Sequence, residues 1–254
     1  MSTTNDTTME FALALPMLPP SHFLPLARAA EAAGFASIAV PESVFYPEEV
    51  SADYPYTADG GRFWAPETPF LDPFVAIPAM AAVTEHISFF TNVLKLGIRD
   101  PLLVAKTVSS ISALADGRIG LGVGLSWIPE EFEWLGKEMR TRGARTNEAI
   151  EIIRLVCSGE FVEYHGRQYD FGRLMVRPGG TQPAPMYVGG LAAPGLRRGA
   201  ANEERQQHHG GVGGEALRHV AGPRGLGRVR HRLRSASERE EGRAGREIDG
   251  AHRA

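Results

Sequence analysis

The stretch ISFFTNVLKLGIRDPLLVAKTVSSISALADGRIGLGVGLSWIPEEFEWLG, residues 87–136, decides how this chain is read. It opens with an apolar run (87–96) of the kind buried on both faces of a parallel sheet. Asp100 and Pro101 follow, a capping side chain and a proline at the first helical position, and predict a helix to about residue 115. A strand then runs over 118–124, with Gly120, Gly122 and Gly124 at alternate positions. Strand, helix and strand in this order predict a parallel pair joined by a right-handed crossover.

The same grammar extends in both directions. Residues 11–15 (FALAL) read as a buried strand, and Ser21 is placed to cap a helix with apolar positions Phe23, Leu26, Ala27, Ala30 and Ala33 that ends at Gly34. Residues 37–40 give the second strand. Asp72 and Pro73 open another helix, which Pro78 should kink. Thr146 reads as the cap of a helix whose one face is Ala149, Ile150, Ile153 and Val156; residues 161–171 alternate like a β-hairpin. Residues 185–190 give a fifth strand, and a helix starts over 191–200. Five βα units fit both an eight-stranded barrel and an open doubly wound sheet. The functional-looking loops follow strand C-termini, and no GxGxxG turn follows the first strand, which favours the barrel.

The pattern stops near residue 198. The 12 Phe, 6 Tyr and 3 Trp all precede residue 188, the last being Tyr187. The 54 residues from 201 to 254 hold 11 Arg, 10 Gly and 5 His, with no apolar run at strand or helix spacing. That is the composition of GC-rich coding DNA read in a shifted frame; an ordinary disordered tail of low hydrophobicity is the other reading. The expectation is a partial barrel domain over 1–200 and an irregular, Arg/Gly-rich tail over 201–254.

The formal charge of −3 divides into an acidic body and a basic tail, and an acidic body argues against nucleic acid as partner. The single cysteine, Cys157, lies in an apolar helical stretch and supports neither a disulfide nor a metal cluster. Asp6 and Glu10 stand where a signal peptide would carry Lys or Arg, and no apolar stretch approaches a membrane span, so a cytoplasmic protein is expected. The body's histidines, His22, His86 and His165, fall away from strand C-termini and read as surface residues. The stretch 142–146 (RGART) reads either as a solvated, capped turn or as an anion contact at a helix N-terminus.

The strand ends at 91–93, 120–127 and 188–190 are the candidate chemistry. Alternating glycines leave one face of the 118–124 strand without side chains, so either a flat ring lies there or the barrel packs tightly. A second glycine pair at a strand C-terminus, Gly189 and Gly190, tips the reading toward a cofactor. The loop 41–71 concentrates Phe45, Tyr46, Tyr54, Tyr56, Phe63, Trp64 and Phe70; it reads as the wall of a substrate pocket or as a cover over the barrel mouth.

Taken together, PFLDPFVAI (69–77), the 87–136 block, RGARTNEAIEIIR (142–154) and PMYVGG (185–190) with LRR (196–198) resemble the luciferase-like flavin oxidoreductases, nearer to their deazaflavin-dependent branch. The resemblance implies a (β/α)8 TIM barrel, here incomplete at about five βα units, with FMN or coenzyme F-420 as cofactor and a small organic substrate. It implies a non-prolyl cis peptide and bulge at Asn92–Val93 behind the ring. The implied cofactor positions are Thr91, Asn92, Val93, Gly122, Val123, Gly124, Gly189 and Gly190. Glu42 is the candidate for proton transfer, and Trp64 and Trp127 for the substrate wall. Ser43 stands where many relatives carry a histidine, Leu191 and Ala192 replace a small polar pair, and strands six to eight have no counterpart over 201–254. A truncated, non-catalytic barrel is therefore the alternative. Its open sheet edges would need cover, which leaves homo-oligomerisation open.

Overall fold

The computed structural model describes residues 10–15, 17–179 and 184–189, and the backbone of 205–207. Its parallel sheet is built from β1 (Ala12–Ala14), β2 (Ser37–Val40), β3 (Ser88–Thr91), β4 (Leu94–Lys95), β5 (Ile119–Gly124), β8 (Met186–Gly189) and β9 (Arg205–Gln207). The order is β1-β2-β3-β5-β8-β9, with β4 prolonging the third strand beside β5. Helices α1 (Phe23–Ala32), α2 (Pro73–Ala81), α3 (Pro101–Leu114) and α5 (Arg142–Cys157) supply the crossovers, and β6 (Val162–His165) pairs antiparallel with β7 (Asp170–Leu174) as the expected hairpin. Among the described residues the sheet stays open, with β1 and β9 as edges. This is the α/β architecture of an incomplete barrel.

Register gives the sheet two different faces. Leu13, Ile38, Phe89 and Ile119 align across β1, β2, β3 and β5, and face the helices. They join a buried cluster against α1 and α2, while Leu94, Leu121, Val123 and Val188 belong to a second one against α3 and α5. The opposite face aligns Ala14, Ala39, Phe90 and Gly120, and continues through Gly122 to Tyr187. Large aliphatics on one side and mostly small residues on the other is the alternation of a strand whose two environments differ. The small-residue face is not bare at Gly120: a Cβ there would meet the Tyr187 ring at 3.1 Å and Phe90 at 3.3 Å. At that level the glycine makes room for two aromatic rings 5.1 Å apart, so tight packing is the outcome.

Caps explain where the helices begin. Asp72 accepts from the Phe74 amide (2.8 Å), and Asp100 from those of Leu102 (2.9 Å) and Leu103 (3.2 Å), as the Asp-Pro pairs predict. α2 runs through Pro78. Ser21 is not a cap; it lies in a 3-10 turn, Pro20–His22, that leads directly into α1. α5 begins at Arg142 and not at Thr146, which is buried one turn inside it. The cause is Arg145, neither solvated nor anion-facing, whose buried guanidinium donates to the carbonyls of Gly97 and Glu138 and to Thr141 Oγ1. The helix expected over 191–200 lies outside the described residues. Within the 201–254 segment, read as lacking strand spacing, Arg205–Gln207 forms a short strand paired with β8.

Two polar staples tie distant segments together. Arg118 donates to the carbonyls of Ala81, Thr84, Ile87 and Ala115 and to Thr84 Oγ1, joining the end of α2, the entry to β3 and the end of α3. Glu31 on α1 accepts from the amides of Glu85 (2.9 Å), His86 (2.6 Å) and Ile87 (3.0 Å). Arg118→Ala is expected to lower stability by ~3 kcal/mol, because buried carbonyls lose a charged donor. Arg118→Lys should recover less than half of that loss; urea unfolding midpoints check both.

The His86 and Ile87 amides hold the Glu31 carboxyl below its ordinary value. A carboxyl depressed in the folded state stabilises above its unfolded pKa, and that contribution is lost as pH falls through the folded value. Below about pH 4.3, the ordinary glutamate value, the wild-type urea midpoint should therefore fall more steeply than that of Glu31→Gln.

Candidate functional site

The third strand contains one residue too many. Phe90 pairs with Gly120 and Leu94 with Val123, so four steps on one strand oppose three on its neighbour. This is a β-bulge, and it reverses the alternation of everything after it. Without it, Leu94 would share Phe90's face; instead Leu94 is fully buried with Val123 in the helix-facing cluster. Lys95 comes into register with Gly124 on the small-residue face. Thr91 Oγ1 donates to the Gly122 carbonyl (2.7 Å) beside the interruption, and the Asn92 amide donates to the Val40 carbonyl (2.7 Å). The Asn92–Val93 peptide is cis, as the resemblance implied.

The glycines at the strand end carry Val93. A Cβ on Gly124 would lie 2.5 Å from Val93 Cγ2, so Gly124 lets that methyl settle onto the strand. The platform at this end is a partly exposed valine over glycine, with Asn92 and Lys95 on either side of it in sequence, and not bare backbone.

Charged residues lock this end. Glu42, after β2, has a side chain 1% exposed; its Oε2 accepts the Lys95 amide (2.6 Å), and its Oε1 accepts from Arg99 Nε (3.0 Å) and Nη2. Arg99 also reaches Asp72 Oδ2 (3.1 Å). Burial pushes the Glu42 carboxyl above its ordinary range, while Arg99 and the Lys95 amide pull it down. With both oxygens engaged inside the protein, Glu42 has the geometry of a brace for β4 rather than of the proton-transfer group expected from sequence. Lys95 Nζ pairs with Glu131 Oε1, and Ser126 Oγ donates to Glu131 Oε2 (2.6 Å). Glu131 is 0% exposed and lies on α4 (Pro129–Trp134), a helix absent from the sequence reading. Pro129 at its first position, with Glu130 and Glu131 in its first turn, was the available signal.

The aromatic loop packs on Trp127, three residues after Gly124. Tyr54 is its hub, with Phe63 at 5.6 Å, Trp64 at 5.3 Å and Trp127 at 5.2 Å between ring centroids. Both expected wall residues, Trp64 and Trp127, therefore meet on one tyrosine. Arg62 pins the loop through the carbonyls of Pro47 (2.7 Å) and Glu48 (3.1 Å) and lies over the Tyr46 ring at 3.6 Å. The Ser51 amide donates to Glu130 on α4 (2.8 Å). Phe63 and Tyr56 remain about half exposed, an apolar surface facing outward from a fixed loop.

Of the expected cofactor positions, Asn92, Val93, Gly122 and Gly124 gather at this end with Gly189. Thr91 and Val123 are buried in the helix-facing direction, so neither side chain reaches the platform. Gly190 lies outside the described residues. Among the described residues no group of His, Cys, Asp and Glu is arranged to hold a metal, and no helix is long and apolar enough to cross a membrane. A cavity of about 210 Å³, lined by Ser37, Ser88, Phe90, Gly120 and Tyr187, lies at the opposite ends of the strands.

The sequence model of the luciferase-like monooxygenases matches residues 4–219. The chain belongs to that family. It is 44% identical over 213 residues to the uncharacterized protein Rv0940c of Mycobacterium tuberculosis, covering 84% of this chain and 74% of that one. It is 31% identical over 175 residues to an F420-dependent glucose-6-phosphate dehydrogenase of Nakamurella multipartita, covering 67% and 46%. Among solved structures, the oxygenating constituent of 3,6-diketocamphane monooxygenase from Pseudomonas putida, in complex with FMN, superposes with a TM-score of 0.61 at 17% identity. That likeness covers 78% of this chain and 57% of the other, so the chain spans little more than half of that relative.

The Lys95–Glu131 pair gives a direct test of the site's construction. Glu131→Ala leaves a nearly buried ammonium without its counterion and should destabilise by about 3–5 kcal/mol. Replacing both partners, Lys95→Met with Glu131→Gln, should cost much less, as thermal unfolding of the three proteins would reveal.

Proposed function

We propose that this chain is an oxidoreductase that rests a flavin-type ring, FMN or F-420, on the Val93–Gly124 platform and works on a small organic substrate beneath the aromatic loop. One observation carries this reading: the bulge brings Val93 down onto Gly124 at a partly exposed strand end, three residues before Trp127, whose ring meets Tyr54 of the aromatic loop. A flat apolar ring fits there because the neighbouring positions, Gly122 and Gly189, add no bulk. The names of the relatives, an F420-dependent dehydrogenase and an FMN complex, support the cofactor class.

When bound, such a ring supplies hydride exchange with the substrate or, as FMN, reaction with oxygen. The residues around it do the rest. The platform fixes the ring's plane, and Asn92 offers an amide beside it. Glu42 and Arg99 hold β4 rigid under it, and the aromatic wall excludes water and accepts apolar substrate surface. Burial, and then Tyr56, keep the Tyr54 hydroxyl above its ordinary pKa, so the hub of that wall remains neutral.

A second reading is a truncated barrel that binds no cofactor; the sheet left open among the described residues and the compositional break near residue 200 favour it. Fluorescence titration of the full chain with F-420 and with FMN separates the two. Saturable one-to-one binding of either supports the oxidoreductase, and absence of binding to both leaves the truncated barrel. Gly124→Ala displaces Val93 and should weaken binding by at least ~10-fold, about 1.4 kcal/mol, while the circular dichroism spectrum stays unchanged.

A further inference from the structure

We infer that Lys95 is a ligand-binding residue whose ammonium donates to a negatively charged oxygen of the ring in its reduced form; this rests on the cofactor reading above. Three observations lead to it. Regular alternation would have put Lys95 on the side of Phe89 and Thr91, inside the aliphatic layer under the helices. The extra residue between Phe90 and Leu94 turns it to the small-residue face, in register with Gly124 and two residues from Val93. An ammonium has three N–H donors, and among the described residues Lys95 Nζ has one hydrogen-bond acceptor, Glu131 Oε1.

The side chain is only 12% exposed, so little water reaches the two remaining donors. A nearly buried cation with unspent donors is costly, and an oxygen acceptor at the platform relieves that cost. Glu131, fully buried and held by Ser126, fixes the amine without presenting its own negative charge to solvent. A neutral oxidised ring gains a hydrogen bond from this arrangement. An anionic reduced ring gains a hydrogen bond and a counter-charge, so the site discriminates between redox states.

The test is anaerobic titration of the full chain with oxidised and with dithionite-reduced cofactor, using whichever of F-420 and FMN binds. The wild type should bind the reduced form at least tenfold more tightly. Lys95→Met with Glu131→Gln should lose at least tenfold in affinity for the reduced form and threefold or less for the oxidised one; Lys95→Arg should keep most of the preference. Equal affinity of the wild type for both forms overturns the inference without needing any variant. So does an equal loss for both forms in the double variant, the mark of a merely structural residue. If the wild type binds neither cofactor in either state, the function reading itself fails, and this inference with it.

Discussion

One supernumerary residue between Phe90 and Leu94 governs this site. A strand presents successive side chains to opposite faces, so a single insertion exchanges inside for outside along everything that follows. Upstream of it, Phe89 and Thr91 face the helices; downstream, Leu94 does. The exchange puts a long aliphatic into the cluster between α3 and α5 and turns a lysine to the other side. It also leaves Val93 over a strand that can receive it only because position 124 is glycine. The glycine is an effect of the bulge as much as a feature of its own strand.

A bulge breaks its ladder, and the interrupted bonds need other partners. Thr91 Oγ1 serves the Gly122 carbonyl, and the Glu42 carboxylate serves the Lys95 amide. Burying Glu42 for that purpose calls for a counter-charge, which Arg99 provides, and Lys95 in turn calls for Glu131. Buried pairs of this kind add little net stability compared with well-packed aliphatics. Their value lies in geometry, because each carboxylate has directional partners that an aliphatic core would not specify. The two pairs thus follow from the bulge through ordinary desolvation arguments.

Much of the scaffold was legible in the sequence because its signals are local. Asp72-Pro73 and Asp100-Pro101 mark helix starts within two residues, and the apolar runs mark β2 and β5. The failures share a different physics. Thr146 looked like a cap because nothing nearby shows that Arg145 would fold back on Gly97, 48 residues earlier. Gly120 and Gly124 looked bare because register alone reveals that Tyr187, Phe90 and Val93 fill the space. Glu42 looked like an acid because its partners, Lys95 and Arg99, lie 53 and 57 residues away. Trp64 stands out in the sequence within an aromatic loop and Trp127 just after the glycine-rich strand, but their meeting on Tyr54 is a tertiary fact. Glu131 offered almost no sequence signal beyond a charge in an acidic helix start.

These distances also bear on the Arg/Gly-rich segment after residue 200. The side-chain bonds that shape the platform and its charges join residues between Glu42 and Glu131, and the aromatic wall closes within the same span. The end of the fold that would meet a ring is therefore built mostly from the half of the chain with the strongest patterning, with β8 adding Gly189. What lies beyond is a different part of a barrel enzyme's task, since late loops commonly hold the phosphate of a cofactor. Ring recognition and phosphate recognition are physically separable contributions to binding. A chain with an intact platform and altered late loops would lose affinity before it lost ring geometry or redox preference. The oxidoreductase and truncated-barrel readings consequently differ in how tightly a ring is held, more than in where it would lie.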